Sequence, residues 1–440
     1  MTRRLAWLLL LAAAACTEEV TAPGDCPNFC PGGSILIKDT IFTDIIGRDS
    51  AFSGYVRAQE GHAATAADLP AVQSRPFFLL RPMITRVQPR GTDTATVPIA
   101  IDSSRLRLSI VYRDKKATNL RLRLFQLPLT VDSTSNFASL DPFFTAAPVD
   151  TVSITRLLTT AGSTDTAVTR YWRGICASCI DSVRVDSAGN VLLMQPDSSL
   201  FLYFKLDTLQ APFSVPDSGR LAYGIAAAAD SFASIRLGTN ESVSNGAVLR
   251  RFFHYSVPDT LPGPDSVAYS DRSQSPSFDS FVFDPPTAPL DSNLAVGGVP
   301  AARSLLRVAM PSYLHDSVDV VRATVILVPV AAVPGVPSDS FTVLARAVLT
   351  DLGAKSPLSS SSTNVGRVTI HTGVTDTVRI EMTDMVRAWV ADTTRPTAFF
   401  LGQSPEATSF SQIRFFSSRT PAFRPALHVT YVKRFSFGAP

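Results

Sequence analysis

The most regular pattern of apolar and polar positions lies near the end of the chain, in residues 378–431. It reads VRIEMTDMVRAWV, then TAFFLG after a loop, and then FSQIRFFSSRTPAFRPALHVTY. Alternation with a period of two is typical of strands that bury one face. The pattern therefore predicts an alternating segment that ends at Val386 and Trp389, an apolar strand, and two alternating strands around a Ser-Arg-Pro turn.

The closing pattern also occurs earlier in the chain, as FASIRLGTNESVSNGAVLRRFFHY. Without a gap, four pairs of like residues coincide: Phe232 with Phe410, Ile235 with Ile413, Arg236 with Arg414, and Leu249 with Leu427. Upstream segments repeat in the same order: residues 79–81 with 305–307, 104–108 with 323–327, and 120–122 with 341–343. These matches indicate one folding unit that the chain uses twice.

Alternating segments recur along most of the 440 residues, and helical patterns are few. Hydrophobic residues make up 45% of the chain and charged residues 18%, a composition typical of packed domains rather than of disordered chains. We therefore predict an all-β protein, with two tandem jelly-roll-like β-sandwich domains after a lipoprotein signal peptide and a short tether.

The predicted divisions of the chain follow from its composition. They are a lipoprotein signal peptide (1–15), a flexible tether (16–34), a first sandwich (35–256) with an insertion around 130–200, a linker (257–276), a second sandwich (277–434) and a tail (435–440). The linker contains VPDTLPGPDSVAYSDRSQSP, which is rich in Pro, Ser and Asp.

The N-terminal segment MTRRLAWLLLLAAAAC predicts a secretory signal peptide. Arg3 and Arg4 form its charged start, and its apolar run is shorter than the ~20 residues that a spanning helix needs. The small residues before Cys16 resemble a bacterial lipoprotein signal, which implies that Cys16 becomes the acylated N-terminus. Several acyl chains, at about 0.8 kcal/mol per buried methylene, hold a protein on a bilayer. The alternative is ordinary cleavage after the alanines, with Cys16 incidental.

The residue after the lipidation site predicts the membrane to which the protein is sorted. Thr17, rather than Asp, follows Cys16, and the resemblance to enterobacterial sorting implies the outer membrane. No later segment predicts a membrane span, because the apolar residues 323–336 are too few and are interrupted by Pro329 and Pro334. We expect an exported protein that is lipid-anchored to the cell envelope, at the outer membrane.

Four further cysteines form two close pairs, Cys26 with Cys30 and Cys176 with Cys179. An even number of cysteines in an exported chain indicates disulfides, and three connectivities are possible. A four-thiolate zinc site is the alternative, although the spacing of Cys26 and Cys30 is unusual for such a site.

The charge and the motifs of the chain exclude several function classes. The net charge is +3, of which Arg3 and Arg4 contribute two, so nucleic acid is not an expected partner. The chain contains neither the GxSxG elbow of many hydrolases nor the HExxH motif of zinc proteases, and His254 and His428 fall in alternating strand patterns. We expect no catalytic residues and no cofactor, apart from an open alternative of structural calcium on loop carboxylates such as Asp284 and Asp291.

Several segments resemble the DNRLRE-type domain, a disaggregatase-related, carbohydrate-binding-module-like β-sandwich. They are SLLRV (304–308), VVRATVILVPV (320–330), MTDMVRAWV (382–390) and IRFFSSRTPAFRPALHVTY (413–431). In this resemblance Trp389 takes the place of the family's tryptophan, and Ser418, Arg419 and Pro425 that of its final turn. The resemblance covers residues 276–434 and, less closely, 35–258. It implies an exported jelly roll, and its motifs concern the fold more than an activity.

Aromatic rings are the remaining functional candidates, because sugar-binding sandwiches stack pyranose rings on exposed aromatic side chains. Tyr171, Trp172 and Trp389 are the ligand-binding candidates, with a core position as the alternative for Trp389. We predict a non-catalytic envelope protein with a structural, adhesive or glycan-binding role, whose partners are the membrane, through the anchor, and polysaccharide or envelope proteins. The alternative is a subunit of an outer-membrane or surface protein assembly.

Overall fold

The regular structure of the chain is nearly all β, which confirms the predicted all-β sandwich class. A computed structural model describes residues 37–90, 94–113, 117–153, 167–170, 182–185, 191–194, 200–206, 219–242, 246–258, 266–316, 318–335, 339–361, 365–373 and 375–433. Among these residues, no helix is long and apolar enough to cross a bilayer.

The strands up to residue 284 are, in chain order, β1 (Ile37–Phe42), β2 (Ile46–Ser53), β3 (Ala63–Asp68), β4 (Gln73–Leu80), β5 (Arg86–Val87), β6 (Val97–Pro98), β7 (Ala100–Arg113), β8 (Arg121–Leu127), β9 (Asp150–Ser153), β10 (Ala167–Arg170), β11 (Ser182–Val185), β12 (Val191–Met194), β13 (Leu200–Leu206), β14 (Ala222–Ala228), β15 (Ala233–Gly238), β16 (Val248–Val257), β17 (Ser266–Gln274) and β18 (Pro276–Asp284).

The later strands are β19 (Leu294–Gly297), β20 (Ala302–Val308), β21 (Val318–Leu327), β22 (Ser340–Ala347), β23 (Val365–His371), β24 (Val378–Glu381), β25 (Ala398–Ser404), β26 (Gln412–Phe415) and β27 (Ala426–Lys433). The α-helices are α1 (Phe137–Phe144), α2 (Tyr313–Asp316) and α3 (Thr383–Ala391). Short 3₁₀ helices occupy Ala58–Glu60 and Gly353–Lys355.

The first sandwich, residues 63–284, is built from one antiparallel sheet that curls on itself. Its strands follow the order β10-β11-β12-β13-β7-β15-β3-β4-β14-β8-β9, with β16 between β7 and β17 and with β18 beside β4. The long strand β7 contributes to both layers, because it pairs with β13 and β16 along most of its length and with β15 near its end. Alternating leucines of β7, β8 and β13 fill the space between the layers.

The second sandwich packs a four-stranded sheet, β1-β27-β21-β24, against a seven-stranded one. The larger sheet has the order β23-β22-β25-β20-β19-β26, with β2 beside β20. Val325, Leu427 and Ile380 from the smaller sheet meet Leu306 and Leu401 from the larger one in a single apolar core.

The two sandwiches are interleaved along the chain. Strands β1 and β2 come before the first sandwich in sequence, but they pair with β27 and β20 of the second. The first sandwich is therefore inserted between β2 and β19, and two connections, residues 54–62 and 285–293, join it to the second. Strands β17 and β18 complete the first sandwich in the places that β1 and β2 take in the second.

The strand pairing shows which residues of the two sandwiches are equivalent. Strand β16 lies between β7 and β17 as β27 lies between β21 and β1, so the two copies of the closing pattern occupy equivalent places. One sequence match is shifted: Leu79 lies opposite Ala222, and the residue in its place in the second sandwich is Arg307, opposite Ala398. The sequence repeat pairs residue 79 with residue 305 instead. A shift of two residues keeps the same face buried, so alternation alone did not detect it.

The observed boundaries differ from those predicted by composition. Residues 266–274, placed in the linker, form β17, and residues 277–284, placed in the second sandwich, lie in β18 of the first. Residues 37–53, placed in the first sandwich, belong to the second. Strand β17 lies at a sheet edge with mostly solvent-facing polar side chains, so its composition resembles that of a linker.

One local prediction is also corrected. The segment that ends at Trp389 was predicted to alternate as a strand, but only Val378–Glu381 does so, and α3 follows. The buried residues of α3 are Met385, Val386, Trp389 and Val390, a spacing that places them on one helical face.

Candidate functional site

Most of the residues predicted to carry function lie outside the described residues. These are the lipidation site Cys16, the disulfide candidates Cys26, Cys30, Cys176 and Cys179, and the aromatic candidates Tyr171 and Trp172. Acylation, disulfide pairing and the zinc alternative therefore stay predictions.

Trp389 is described, and it is a core residue. Its side chain is 2% exposed and packs against Phe399 with the ring centroids 6.4 Å apart. A ring in this position offers no open face to a sugar in solution. The observed burial agrees with the core alternative and not with the ligand-binding one.

The loop carboxylates considered for calcium do not converge. Asp291 accepts a hydrogen bond from the Asn293 backbone N–H and lies 3.0 Å from the Arg414 guanidinium. Partial burial opposes its ionisation, but the hydrogen bonds from Asn293 and the charge of Arg414 lower the pKa of the Asp291 carboxyl. Within the described residues, no group of three or more His, Cys, Asp or Glu side chains is placed to hold a metal ion.

Two histidines on the outer faces of the sheets are bound to carboxylates of neighbouring strands. His254 Nδ1 lies 2.7 Å from Asp102, and His428 Nε2 lies 2.7 Å from Asp39. A hydrogen bond from Thr430, followed by the interaction with His428, lowers the pKa of Asp39. Both pairs cross-link adjacent strands, which agrees with the strand positions predicted for these histidines.

The contact between the sandwiches contains both apolar and charged residues. Ala64 and Phe281 of the first sandwich pack with Ala301 and Ala407 of the second. Nearby, Phe283 lies with its ring centroid 6.0 Å from that of Phe410. The sandwiches therefore share a small apolar interface.

Hydrogen bonds fix the position of the connection 54–62 at this interface. Thr239 of the first sandwich donates to the Gly61 carbonyl at 2.6 Å, and His62 Nδ1 lies 3.0 Å from the Glu241 carbonyl. A Cβ atom at Gly61 would lie 2.4 Å from the Ala407 carbonyl oxygen, so only glycine allows this close approach.

A buried ion pair also joins the sandwiches. Arg236 of β15 reaches both carboxylate oxygens of Asp339 at 2.7 Å, and the Asp339 side chain is only 6% exposed. The guanidinium also lies over the Tyr112 ring, 4.6 Å from its centroid. Arg236 is one of the residues that the repeat singled out, but its partner precedes β22 and could not be recognised from the sequence.

A cleft opens beside this interface, and we call it the junction cleft. Its floor is the outer face of β25, β22 and β20, and its walls are the connection 54–62 and the loop that carries Leu358. The cavity volume is about 330 Å³. Residues that line it include Glu60, His62, Arg303, Leu344, Arg346, Phe400, Gly402 and Glu406.

The central charged pair of the junction cleft is held rigidly. Arg303 Nε and Nη2 donate to the two carboxylate oxygens of Glu406, each at 2.7 Å. The same guanidinium lies 4.3 Å from the ring centroid of Tyr55, whose hydroxyl donates to the Ala354 carbonyl at 2.7 Å. The hydrogen bonds to Glu406 raise the pKa of Arg303, and desolvation raises the pKa of Tyr55.

Two buried apolar side chains lie under the floor of the junction cleft. Phe400 is 2% exposed and Leu344 is 7% exposed, so neither presents an open surface to the cleft. Gly402 also lines the floor. A Cβ atom at this residue would lie 3.3 Å from Glu406 Oε1 and 3.7 Å from Arg303 Cγ. Arg346 and Glu60 are exposed at the mouth.

No family model matches the chain, and no curated protein matches it either. The resemblance to the DNRLRE-type domain therefore stays a prediction.

Proposed function

We propose that the protein is an exported, lipid-anchored and non-catalytic protein of the cell envelope, held at the outer membrane, with a structural or adhesive role. The N-terminal sequence supports the address, since MTRRLAWLLLLAAAAC has the layout of a lipoprotein signal that ends at Cys16. The observation that carries the structural role is the insertion of one sandwich into the other.

Two connections make this arrangement stiffer than domains on a single linker. Domains joined by one flexible segment reorient unless a large interface restrains them. Here the connections 54–62 and 285–293 both cross the junction, and Arg236 with Asp339 fixes the surfaces between them. Two domains joined in this way resist bending at the junction, which suits a spacer or an adhesin.

The insertion supports one order of the sandwiches from the proposed anchor. The tether predicted at residues 16–34 runs to β1, and β1 belongs to the second sandwich. With an anchor at Cys16, the second sandwich would lie nearer to the membrane than the first.

Two measurements test this proposal: the acylation of Cys16 and the recovery of the protein in the membrane fraction. We expect the wild-type chain to incorporate an alkyne-labelled fatty acid and to sediment with outer membranes, and Cys16→Ser to lose both properties. Wild-type protein that is soluble and unlabelled would contradict the anchor. Cross-linking of engineered cysteine pairs across the junction in intact cells then tests whether the sandwiches stay together.

A subunit role in a surface assembly is supported by one observation. Ile37 and Ile41 on the edge strand β1 are 62% and 56% exposed, and Val267 on the equivalent edge strand β17 is 52% exposed. Exposed apolar side chains on open edges are sites where another strand can add. A reproducible protein cross-link at Ile41, replaced by a photoreactive residue, would favour the assembly over a solitary spacer.

A further inference from the structure

One turn of the first sandwich contacts both a buried carboxylate and the connection 54–62. We call residues 239–242 the junction turn. Its Asn240 backbone N–H donates to Asp279 at 2.7 Å, and the adjacent Thr239 hydroxyl donates to a carbonyl oxygen of the connection at 2.6 Å. A change of charge at Asp279 therefore acts on the turn that holds the connection.

We propose that the junction turn is a pH-sensitive latch on the connection 54–62, closed while Asp279 is protonated and loosened when Asp279 ionises. The latch controls how stiffly the two sandwiches are joined. That consequence rests on the proposed structural role, whereas the latch itself depends only on contacts within the chain.

The position of Asp279 opposes its negative charge. Asp279 is 8% exposed, and it shares one face of β18 with Phe281, which packs against Ala301 and Ala407 in the apolar interface. Removal of a carboxylate from water favours its neutral form. A protonated carboxyl still accepts the Asn240 hydrogen bond through its carbonyl oxygen, so protonation removes the charge and keeps the contact.

The junction turn itself carries a second negative charge. Burial and the charge of Glu241 outweigh the opposing Asn240 hydrogen bond and raise the pKa of Asp279 to about 6. Ionisation therefore occurs between mildly acidic and neutral pH, and it places two like charges beside one turn.

The elements that pack nearest to Asp279 are the connection and β4. The charged side chains of the connection and its histidine are exposed to solvent: Arg57, Glu60 and His62. Water screens charges at such positions. On β4, the residue opposite Asp279 is the apolar Phe78. These neighbours leave the ionised carboxylate in an apolar environment.

Strand β3 and helix α1 also pack against β18. Asp68 of β3 lies opposite Gln73, at the start of β4, whereas Asp279 pairs near the end of β4. Asp141 of α1 forms an ion pair with Arg75. The charge closest in effect to Asp279 is therefore that of Glu241.

The junction turn holds the connection by two contacts. Besides the Thr239 hydrogen bond to the Gly61 carbonyl, the Glu241 carbonyl lies 3.0 Å from His62 Nδ1. On its other side, Gly61 fits so closely that a Cβ atom there would lie 2.4 Å from the Ala407 carbonyl oxygen. Opening of the turn therefore releases the connection from one of the two surfaces that enclose it.

The direction of the pH effect follows from the two states of the turn. When the turn opens, water reaches Asp279 and its pKa returns toward the ordinary value of 3.8. The closed form binds the proton more tightly, so closure is strongest below about pH 4 and weakens as the pH rises to about 6. Linkage between these two values makes the open fraction roughly tenfold larger at pH 8 than at pH 5.

Hydrogen–deuterium exchange of the full chain, purified in detergent, tests the latch at pH 5 and pH 8. Mass spectrometry follows peptides that cover residues 54–62 and 239–242, and each rate is corrected for the intrinsic exchange rate at that pH. We expect the protection of both segments in the wild type to fall roughly tenfold at pH 8. Asp279→Asn keeps an acceptor for the Asn240 N–H and should lose this change.

The matched control is Asp49→Asn. Asp49 also accepts a backbone N–H, from Ser418, but it lies 3.5 Å from the Arg419 guanidinium. This variant should keep the wild-type response of the junction turn and of the connection.

A second variant covers a failure of Asp279→Asn to fold. Glu241→Gln changes an exposed side chain and removes the neighbouring negative charge, so it should reduce the difference in protection between pH 5 and pH 8. Equal protection at the two pH values in the wild type, or an undiminished change in Asp279→Asn or Glu241→Gln, would overturn the latch. Because exchange is measured on purified protein, a failure of the latch is distinguishable from a failure of the anchor, which membrane fractionation detects.

Discussion

Asp49 and Asp279 occupy equivalent positions in the two sandwiches and make the same hydrogen bond. Asp49 follows a bulge in β2 and accepts the Ser418 backbone N–H at 2.5 Å, and Asp279 follows a bulge in β18 and accepts the Asn240 N–H at 2.7 Å. Ser418 and Asn240 coincide in the ungapped alignment of the closing patterns. Each carboxylate therefore ties an opening strand to the same closing turn.

The two carboxylates differ in the charge beside them. The residue after Ser418 is Arg419, whose guanidinium lies 3.5 Å from Asp49, and the residue after Asn240 is Glu241. Burial, and then the charge of Glu241, raise the pKa of Asp279 to about 6, against the opposing effect of the Asn240 hydrogen bond. The carboxylate therefore lies beside a cation in one sandwich and beside an anion in the other.

The first prediction concerns stability against pH. Because the folded-state pKa of Asp279 is raised, the folded state binds the proton more tightly than the unfolded one, and stability falls as pH rises from about 4 to about 6. Asp279→Asn keeps an acceptor for Asn240 and removes the titration. It should raise the free energy of unfolding at pH 7 by on the order of 3 kcal/mol and leave it unchanged near pH 3.5.

Urea unfolding at several pH values measures this difference, with Asp49→Asn as the matched control. The control should give no gain, because Arg419 already stabilises the Asp49 charge. Equal pH profiles for wild type and Asp279→Asn would contradict the raised pKa.

The sequence predicts most of the strands and the existence of the repeat, but not helix α3 or the assignment of strands to sandwiches. Alternation in segments such as RLRLF of β8 identifies a half-buried strand wherever it pairs. Which strand lies beside it depends on contacts between distant residues, as between Ile37 and Val432. The junction cleft was missed for the same reason, since His62, Arg303 and Glu406 are far apart in the chain and none belongs to a recognisable motif.

The second prediction uses the corrected boundaries. A fragment of residues 63–284 contains every strand assigned to the first sandwich and should unfold cooperatively in urea. Residues 35–256 lack β17 and β18 and carry β1 and β2 without partners, so this fragment should be aggregated or should unfold without a sharp transition. Circular dichroism and size-exclusion chromatography distinguish the two results, and cooperative folding of both fragments would contradict the interleaved arrangement.

The second sandwich provides the reciprocal control. Residues 277–434 lack β1 and β2, which pair with β27 and β20. Appending residues 37–53 through a flexible linker should restore cooperative unfolding, because the missing strands are supplied at high effective concentration.

The third prediction separates the core role of Trp389 from a ligand-binding role. Trp389→Ala removes a buried ring that packs on Phe399 and should lower the free energy of unfolding by about 3–5 kcal/mol. Urea unfolding measures this loss. A free energy of unfolding equal to that of the wild type would contradict the core role of Trp389.

The last prediction concerns the ion pair between the sandwiches. Arg236→Met keeps much of the side-chain volume but leaves the Asp339 carboxylate, 6% exposed, without its guanidinium. Removal of one partner from a buried pair costs about 3–5 kcal/mol, and the value here should lie at the low end because the Ser340 N–H still bonds to Asp339. Arg236→Met with Asp339→Asn should recover part of the loss, since no charge then remains buried.

Urea unfolding of the single and double variants gives the coupling energy, with Arg395→Met as a control in an exposed pair with Asp392. Strictly additive effects would mean that Arg236 and Asp339 do not stabilise the junction as a pair. The rigidity argued for the two connections would then depend on the apolar contacts and on the hydrogen bonds of Thr239 and His62.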